Sequence, residues 1–81
     1  MRQNWYQIGQ TQGVRAGTLG GELQRHQLEF ADEVECAAWI DGVFDGVMSV
    51  GGRVAGVTSV RDMMPGSKGG VIHVITIQRQ V

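Results

Sequence analysis

Residues 28–47, LEFADEVECAAWIDGVFDGV, contain the most regular hydrophobic pattern of this 81-residue chain. Within 32–47 the apolar residues recur at intervals of three and four positions, which is the stripe of an amphipathic helix with one buried face. The stripe consists of Cys36, Ala37, Ile40, Val43, Phe44 and Val47. Asp32 and Glu35 have the spacing of a capping box, and acidic residues suit the positive end of a helix dipole. The pattern therefore predicts a helix over 32–47.

The buried face of this helix is expected to hold Ile40, Phe44 and Val47. A chain of this size buries only about 60–65% of its unfolded surface, so its stability is modest. On this assignment, replacing a buried aromatic side chain, as in Phe44→Ala, costs roughly 3–5 kcal/mol.

Strand patterns lie on both sides of the helix. Residues 22–30 alternate apolar and polar side chains, and residues 71–79 are rich in β-branched residues. The N-terminal segment 4–10, NWYQIGQ, predicts another short strand. Residues 53–60 alternate weakly and predict a strand, although a second helix over 54–64 fits nearly as well.

The order of these elements is β-β-α-β-β, with PGSKGG at 65–70 as a loop between two antiparallel strands. We therefore expect a single domain spanning 1–81, of the α+β class. Its small antiparallel sheet of about four strands carries one main helix packed on one face.

The composition is that of a soluble globular chain, with a formal net charge of −1 and one cysteine, Cys36. A lone cysteine makes no internal disulfide, which favours a reducing compartment. The N-terminus lacks the apolar core of a signal peptide, and no apolar run is long enough to span a membrane. We expect a cytoplasmic protein with no membrane segment.

Residues able to carry chemistry are few. The two histidines, His26 and His73, each lie in a predicted strand, and neither belongs to a recognisable nucleophile and base motif. Cys36 lies on the apolar stripe, where a thiol is usually an inert small hydrophobe. No spacing typical of a metal site or of a phosphate-binding loop is present. We expect no enzymatic activity, no cofactor and no metal.

The distribution of charge is uneven, since residues 28–47 contain six of the eight acidic residues and no Lys or Arg. Two explanations remain open: a solvated helix face paired with nearby arginines, or a surface for a basic partner. Ala38, Gly42 and Gly46 recur every four residues and form a smooth lane along the helix. Such a lane allows close packing either within the fold or against another protein.

If the helix is a contact surface, five of its residues are the candidates. They are Trp39, Asp41, Asp45, Glu35 and Gly42. A tryptophan at the border of the apolar arc is the kind of residue that anchors interfaces. Asp41 and Asp45 are like charges one helical turn apart, and a basic partner relieves their repulsion.

The run HQLEFADEVECAAWIDGVFDGV resembles the strand-to-helix unit of many very small α+β proteins of bacteriophages and mobile elements. This resemblance implies a non-enzymatic inhibitor of a host defence complex, such as an anti-CRISPR or another anti-defence protein. The pattern is general, so it assigns no binding residue.

The function predicted from the sequence is that of a non-enzymatic protein-binding module, whose partner has a basic surface. Homodimerisation is also open. The alternative is a small nucleic-acid-binding protein, in which scattered arginines contact phosphates and Trp5 and Tyr6 stack on bases.

Overall fold

The computed structural model describes residues 3–80 and has the α+β class that the sequence predicts. In chain order its elements are helix α1 (Trp5–Leu19), strand β1 (Gly21–His26), helix α2 (Glu33–Ser49), strand β2 (Arg53–Arg61) and strand β3 (Val71–Gln78), with a 3-10 turn at Gln27–Glu29. The three strands form one antiparallel sheet in the order β1-β3-β2. The described residues therefore contain two helices and three strands, and the expectation of about four strands with one main helix is wrong.

The error lies at the N-terminus, where the segment predicted as a strand belongs to α1. The Asn4 side chain accepts a hydrogen bond from the Gln7 amide and caps the helix. Gly9, Gly13 and Gly17 lower the helix propensity of this segment, which is why the sequence alone does not indicate a helix. Tertiary packing on α2 compensates for that loss.

Helices α1 and α2 run parallel and touch through glycines. The contact positions are Gly9, Gly13 and Gly17 on α1 and Gly42 and Gly46 on α2. At each of them a Cβ atom would collide with backbone or side-chain atoms of the other helix or its C-terminal cap, and at Gly42 it would overlap the Tyr6 carbonyl oxygen. The small-residue lane of α2 therefore serves close packing within the fold, the first of the two alternatives.

The sheet has one face under the helices and one open face. Leu23, Ile75 and Val57 are cross-strand neighbours on the helix face, where Ile75 is fully buried. The next row, on the open face, places Val74 beside Thr58. An irregularity between Val54 and Gly56 shifts the register of β2 near its start.

The core lies between α1, α2 and the centre of the sheet. Its fully buried side chains are Trp39, Val43, Val47 and Ile75. The expected core holds for Val47 and in part for Ile40, which is half-buried and packs against this core, but it fails for the half-buried Phe44. Because α1 covers the glycine side of α2, the buried sector is rotated toward α1. The loss expected for Phe44→Ala accordingly falls below the range given for a buried aromatic.

The segment 53–61, for which the sequence allows either a strand or a helix, is strand β2. It is joined to β3 by the loop 62–70, as the Pro and Gly residues there predict. The Asp62 amide donates to the Gly70 carbonyl and closes this loop. Among the described residues, no helix has the length and apolar character needed to cross a membrane.

Candidate protein-interaction surface

The five contact candidates from the sequence do not form one surface. Trp39 is fully buried and Gly42 lies in the contact with α1, so neither is available to a partner in this fold. Glu35 is half-buried, whereas Asp41 and Asp45 are exposed.

Trp39 is held inside the molecule by an arginine. The Arg25 guanidinium lies 5.0 Å from the ring centre of Trp5 and 5.3 Å from that of Trp39. The indole nitrogen of Trp39 donates to the side chain of Gln12 at 2.8 Å. Arg25 also pairs with Glu29 at 2.9 Å. This stack ties β1 to both helices and removes Arg25 from the set of arginines that could contact nucleic acid.

Most of the acidic segment has an internal role. Asp32 accepts from the Glu35 amide and caps α2. Glu35 accepts from the Trp5 indole at 3.0 Å and from the Ala31 amide at 2.7 Å. These bonds fix the start of α2 against α1, so the acidic cluster is explained largely by helix capping and by ordering of the preceding turn.

Asp45 is bonded to the only tyrosine of the chain, since the Tyr6 hydroxyl donates to its carboxylate. This bond raises the pKa of Tyr6, with smaller contributions from desolvation and from the negative charges of Asp45 and Asp41. Within residues 3–80 Asp41 has no such bond, and it is exposed on the same helix. Of the two aspartates, Asp41 is therefore the one whose carboxylate is more accessible to a partner.

The fold brings one histidine close to a serine, which the sequence does not indicate. The Ser59 hydroxyl lies 3.1 Å from Nδ1 of His73, and Nε2 of His73 bonds to the Gln27 amide oxygen. Acyl transfer needs, in addition, donors aimed at a developing oxyanion. These three side chains do not supply them, because Gln27 is engaged with the imidazole. The arrangement links β2, β3 and the 3-10 turn.

The other histidine anchors the loop between β2 and β3. His26 Nε2 lies 2.9 Å from the Gly69 carbonyl oxygen and 3.4 Å from the Asp62 carboxylate. Its Nδ1 accepts from the Leu28 amide at 3.1 Å, so the proton of a neutral ring is on Nε2. With both ring nitrogens engaged by neighbouring segments, His26 has a structural role.

The single thiol is buried, and burial together with Glu33 raises the pKa of Cys36. A raised pKa leaves little thiolate at neutral pH, which disfavours a nucleophilic role. Within residues 3–80, no group of three His, Cys, Asp or Glu side chains is arranged to hold a metal ion.

Strand β2 is an exposed edge of the sheet. β3 pairs with one side of it, and eight of its nine residues are exposed, all except Val54. Val57 and Val60 are 44% and 47% exposed. Natural edge strands are usually short or protected by charges, proline, β-bulges or a covering segment. Here the charged residues Arg53 and Arg61 lie at the two ends of the strand and the irregularity lies between Val54 and Gly56, so the stretch 57–60 contains neither a charge nor a bulge.

Helix α2 presents a second apolar feature beside this edge. Ile40 and Phe44 are each two positions from Gly42, which places them about 200° around the helix from it, on the side away from α1. Ala37 lies in the same sector and is exposed. We call Ala37, Ile40 and Phe44 the α2 flank.

The α2 flank and the free edge of β2 lie on the same side of the molecule. Helix α2 packs on β2, whereas α1 packs on β1 and β3. The side of α2 that points away from α1 is therefore directed toward the β2 side of the sheet. We call this combined feature, the free edge of β2 with the α2 flank, the edge surface.

A groove of about 590 Å³ runs along α1, lined by Gln3, Asn4, Gln7, Ile8, Thr11 and Gln12. Its lining is mostly amide and hydroxyl side chains, and nothing in the described residues indicates what would fill it.

Comparison of the chain with family models, with curated proteins and with solved structures gives no match in any of the three. The edge surface is therefore judged by its geometry alone.

Proposed function

We propose that this protein is a non-enzymatic protein-binding domain whose partner docks on the edge surface. The observation that carries the proposal is the free edge of β2, a nine-residue strand with eight exposed residues. The unpaired side of an edge strand presents a row of backbone donors and acceptors, which a partner strand satisfies by extending the sheet.

The α2 flank supports the same site. Strand addition alone gives affinity through backbone hydrogen bonds, whereas adjacent side chains give specificity. Ile40 and Phe44 are large apolar residues that the domain leaves half-buried beside the edge. A partner that reaches over β2 would bury them.

Charge adds a preference for a partner with a basic surface. Asp41 is exposed near the flank, and Glu33 is exposed at the start of the same helix. Among the described residues, neither makes a hydrogen bond or an ion pair of the kind that holds Glu35 and Asp45 within the fold. We expect Asp41→Lys to weaken binding of such a partner.

Affinity capture from the lysate of the native source tests the proposal. We expect wild type and Leu19→Arg to recover the same partner, and Ala37→Arg to lose it. Both substitutions place an arginine at an exposed apolar position on a helix, but only Ala37 is on the edge surface. Equal recovery by both variants would exclude this surface.

The nucleic-acid alternative has less support, because Arg25 is enclosed between two tryptophans. Gel shifts at two salt concentrations test it, since binding through phosphates weakens steeply with salt. Salt-sensitive binding of DNA or RNA at micromolar concentrations would favour this alternative over the protein-binding function.

A further inference from the structure

The molecule exposes more surface than a monomer of its size normally does. Its accessible surface is 5538 Å² for a mass of 8.8 kDa. A folded monomer of this mass typically exposes about 4800 Å², so the excess is roughly 750 Å². The share of each partner in a standard stable interface is about 800 Å².

The shape points the same way. The radius of gyration is 12.8 Å, against about 11.7 Å for a compact domain of this length. Within residues 3–80 the sheet carries helices on one face only, and its β2 side ends in an open edge. One additional interface of ordinary size would bring the exposed surface into the normal range.

We infer that the occupant of the edge surface is a second copy of this chain, an inference that rests on the proposed function. The two copies pair β2 with β2 in antiparallel orientation about a two-fold axis perpendicular to the sheet. The product is a six-stranded sheet in the order β1-β3-β2-β2-β3-β1, with all four helices on one face. The α2 flanks of the two copies then face each other across the junction.

The alternation of side chains restricts the register of this pairing. Residues that pair across antiparallel strands share a face, so helix-face residues must meet helix-face residues. Val57 and Ser59 pair with Ile75 and His73 on the helix face, whereas Thr58 lies on the open face. A two-fold axis at Thr58 satisfies this requirement and pairs Val57 of each copy with Ser59 of the other.

The irregularity of β2 favours an axis at Thr58 over one at Val57. The regular pairing of β2 with β3 runs from Gly56 to Arg61, and an axis at Thr58 pairs residues 56–60 of one copy with residues 60–56 of the other. An axis at Val57 would instead bring the irregular position Ala55 into the paired stretch. Arg61 lies on the helix face, so it brings positive charge to the side that carries the acidic helix α2.

Cysteine cross-linking tests the register. At the two-fold axis the Cα atoms of the two Thr58 residues would lie about 4.5–5.5 Å apart, within the range for a disulfide. We expect Thr58→Cys to form a covalent dimer under mild oxidation. Val60→Cys, on the same face, is the matched control, because its two copies would lie four residues apart along the strands, about 13 Å.

The native Cys36 is buried with a raised pKa, so the wild-type chain serves as the blank. A covalent dimer with Thr58→Cys and not with Val60→Cys supports the inference. No cross-link at Thr58, or equal cross-linking at both positions, overturns it.

The mass in solution separates this inference from the proposed function. Light scattering should give twice the 8.8 kDa chain mass for wild type and Leu19→Arg, and the monomer mass for Ala37→Arg. Val57→Arg, on β2, provides a second disruptive variant, and circular dichroism confirms that each variant is folded.

A dimer that persists in both disruptive variants uses another surface and overturns the inference. A wild-type monomer that still captures a different protein through Ala37 overturns the homodimer and leaves the proposed function standing. A wild-type monomer that captures no protein removes both.

Discussion

At the scale of single residues, Gly42 shows why the two helices require glycine. A Cβ atom there would overlap the Tyr6 carbonyl oxygen and lie 2.9 Å from the Gln10 amide nitrogen, both of them backbone atoms. We expect Gly42→Ala to destabilise the fold by about 1–3 kcal/mol, the usual range for overpacking, despite the higher helix propensity of alanine. Urea denaturation measures the loss. Gly56→Ala, with open space around it, is the control, and equal stability of the two variants would contradict the close helix contact.

Tyr6 provides a pH-dependent probe of the same pair of helices. Its bond to Asp45 raises its pKa above the ordinary value of 10.0. Because the folded protein favours the neutral phenol, this contribution to stability is complete below pH 10 and is lost as the pH rises through the higher folded pKa.

Ultraviolet absorbance follows this sole tyrosine directly. We expect a midpoint above 10 in wild type, and a clear decrease toward the ordinary value in Asp45→Asn. Asp41→Asn should produce a smaller decrease, because Asp41 acts only through its charge. A wild-type midpoint that Asp45→Asn leaves unchanged would show that the bond is not formed in solution.

The sequence pattern misplaces two kinds of residue at this scale. It puts Trp39 on a surface, because Trp39 lies at the border of an apolar arc centred near Ile40 and Phe44. The true buried sector of α2 is rotated toward α1, which encloses Trp39 and leaves Ile40 and Phe44 beside the β2 edge. The rotation depends on the position of α1, which the sequence does not indicate, so the pattern of α2 alone does not contain it.

At the scale of elements, α1 depends on its cap more than an ordinary helix does. It contains three contact glycines and has no acidic residue in its first turn to complement the dipole. We expect Asn4→Ala to cost about 0.5–2 kcal/mol, the range for loss of a helix cap. Denaturation with circular dichroism detection measures this loss, and Gln3→Ala, at the exposed preceding position, is the control. If both variants were equally stable, the Asn4 cap would have no energetic role.

The elements that the sequence predicts correctly share one property, which is that local signals agree with their tertiary environment. Helix α2 has a cap, an amphipathic stripe and acidic residues at its start, and β3 is a β-branched run at the centre of the sheet. In α1 the local signals oppose the structure, because its glycines disfavour a helix until α2 packs on them. The edge surface cannot be predicted from the sequence for a similar reason. It consists of a strand edge and a helix flank that become neighbours only when α2 packs on β2.

At the scale of the whole molecule, the fold is thin for its length, with extents of 39 × 30 × 15 Å. Among its described residues, four large side chains are fully buried, and they line the contact of the helices with the sheet. An interface along β2 would bury Ile40 and Phe44 and would satisfy the free backbone groups of the edge. The domain would then be stable mainly as a pair.

If the protein is a dimer, its apparent thermal stability depends on protein concentration. When folding is coupled to dimerisation, each tenfold increase in concentration favours the folded dimer by about 1.4 kcal/mol, or about 0.7 kcal/mol per chain. We therefore expect the thermal midpoint of wild type to rise by a few degrees per tenfold increase, since about 1 kcal/mol shifts the midpoint of a domain this small by roughly 4–8 °C.

Leu19→Arg should behave like wild type. Ala37→Arg should melt at a lower temperature that does not change with concentration, because its dimer is lost. A wild-type midpoint that stays constant across this range would mean that the isolated chain has its full stability alone, and that the exposed edge of β2 is tolerated without a second copy.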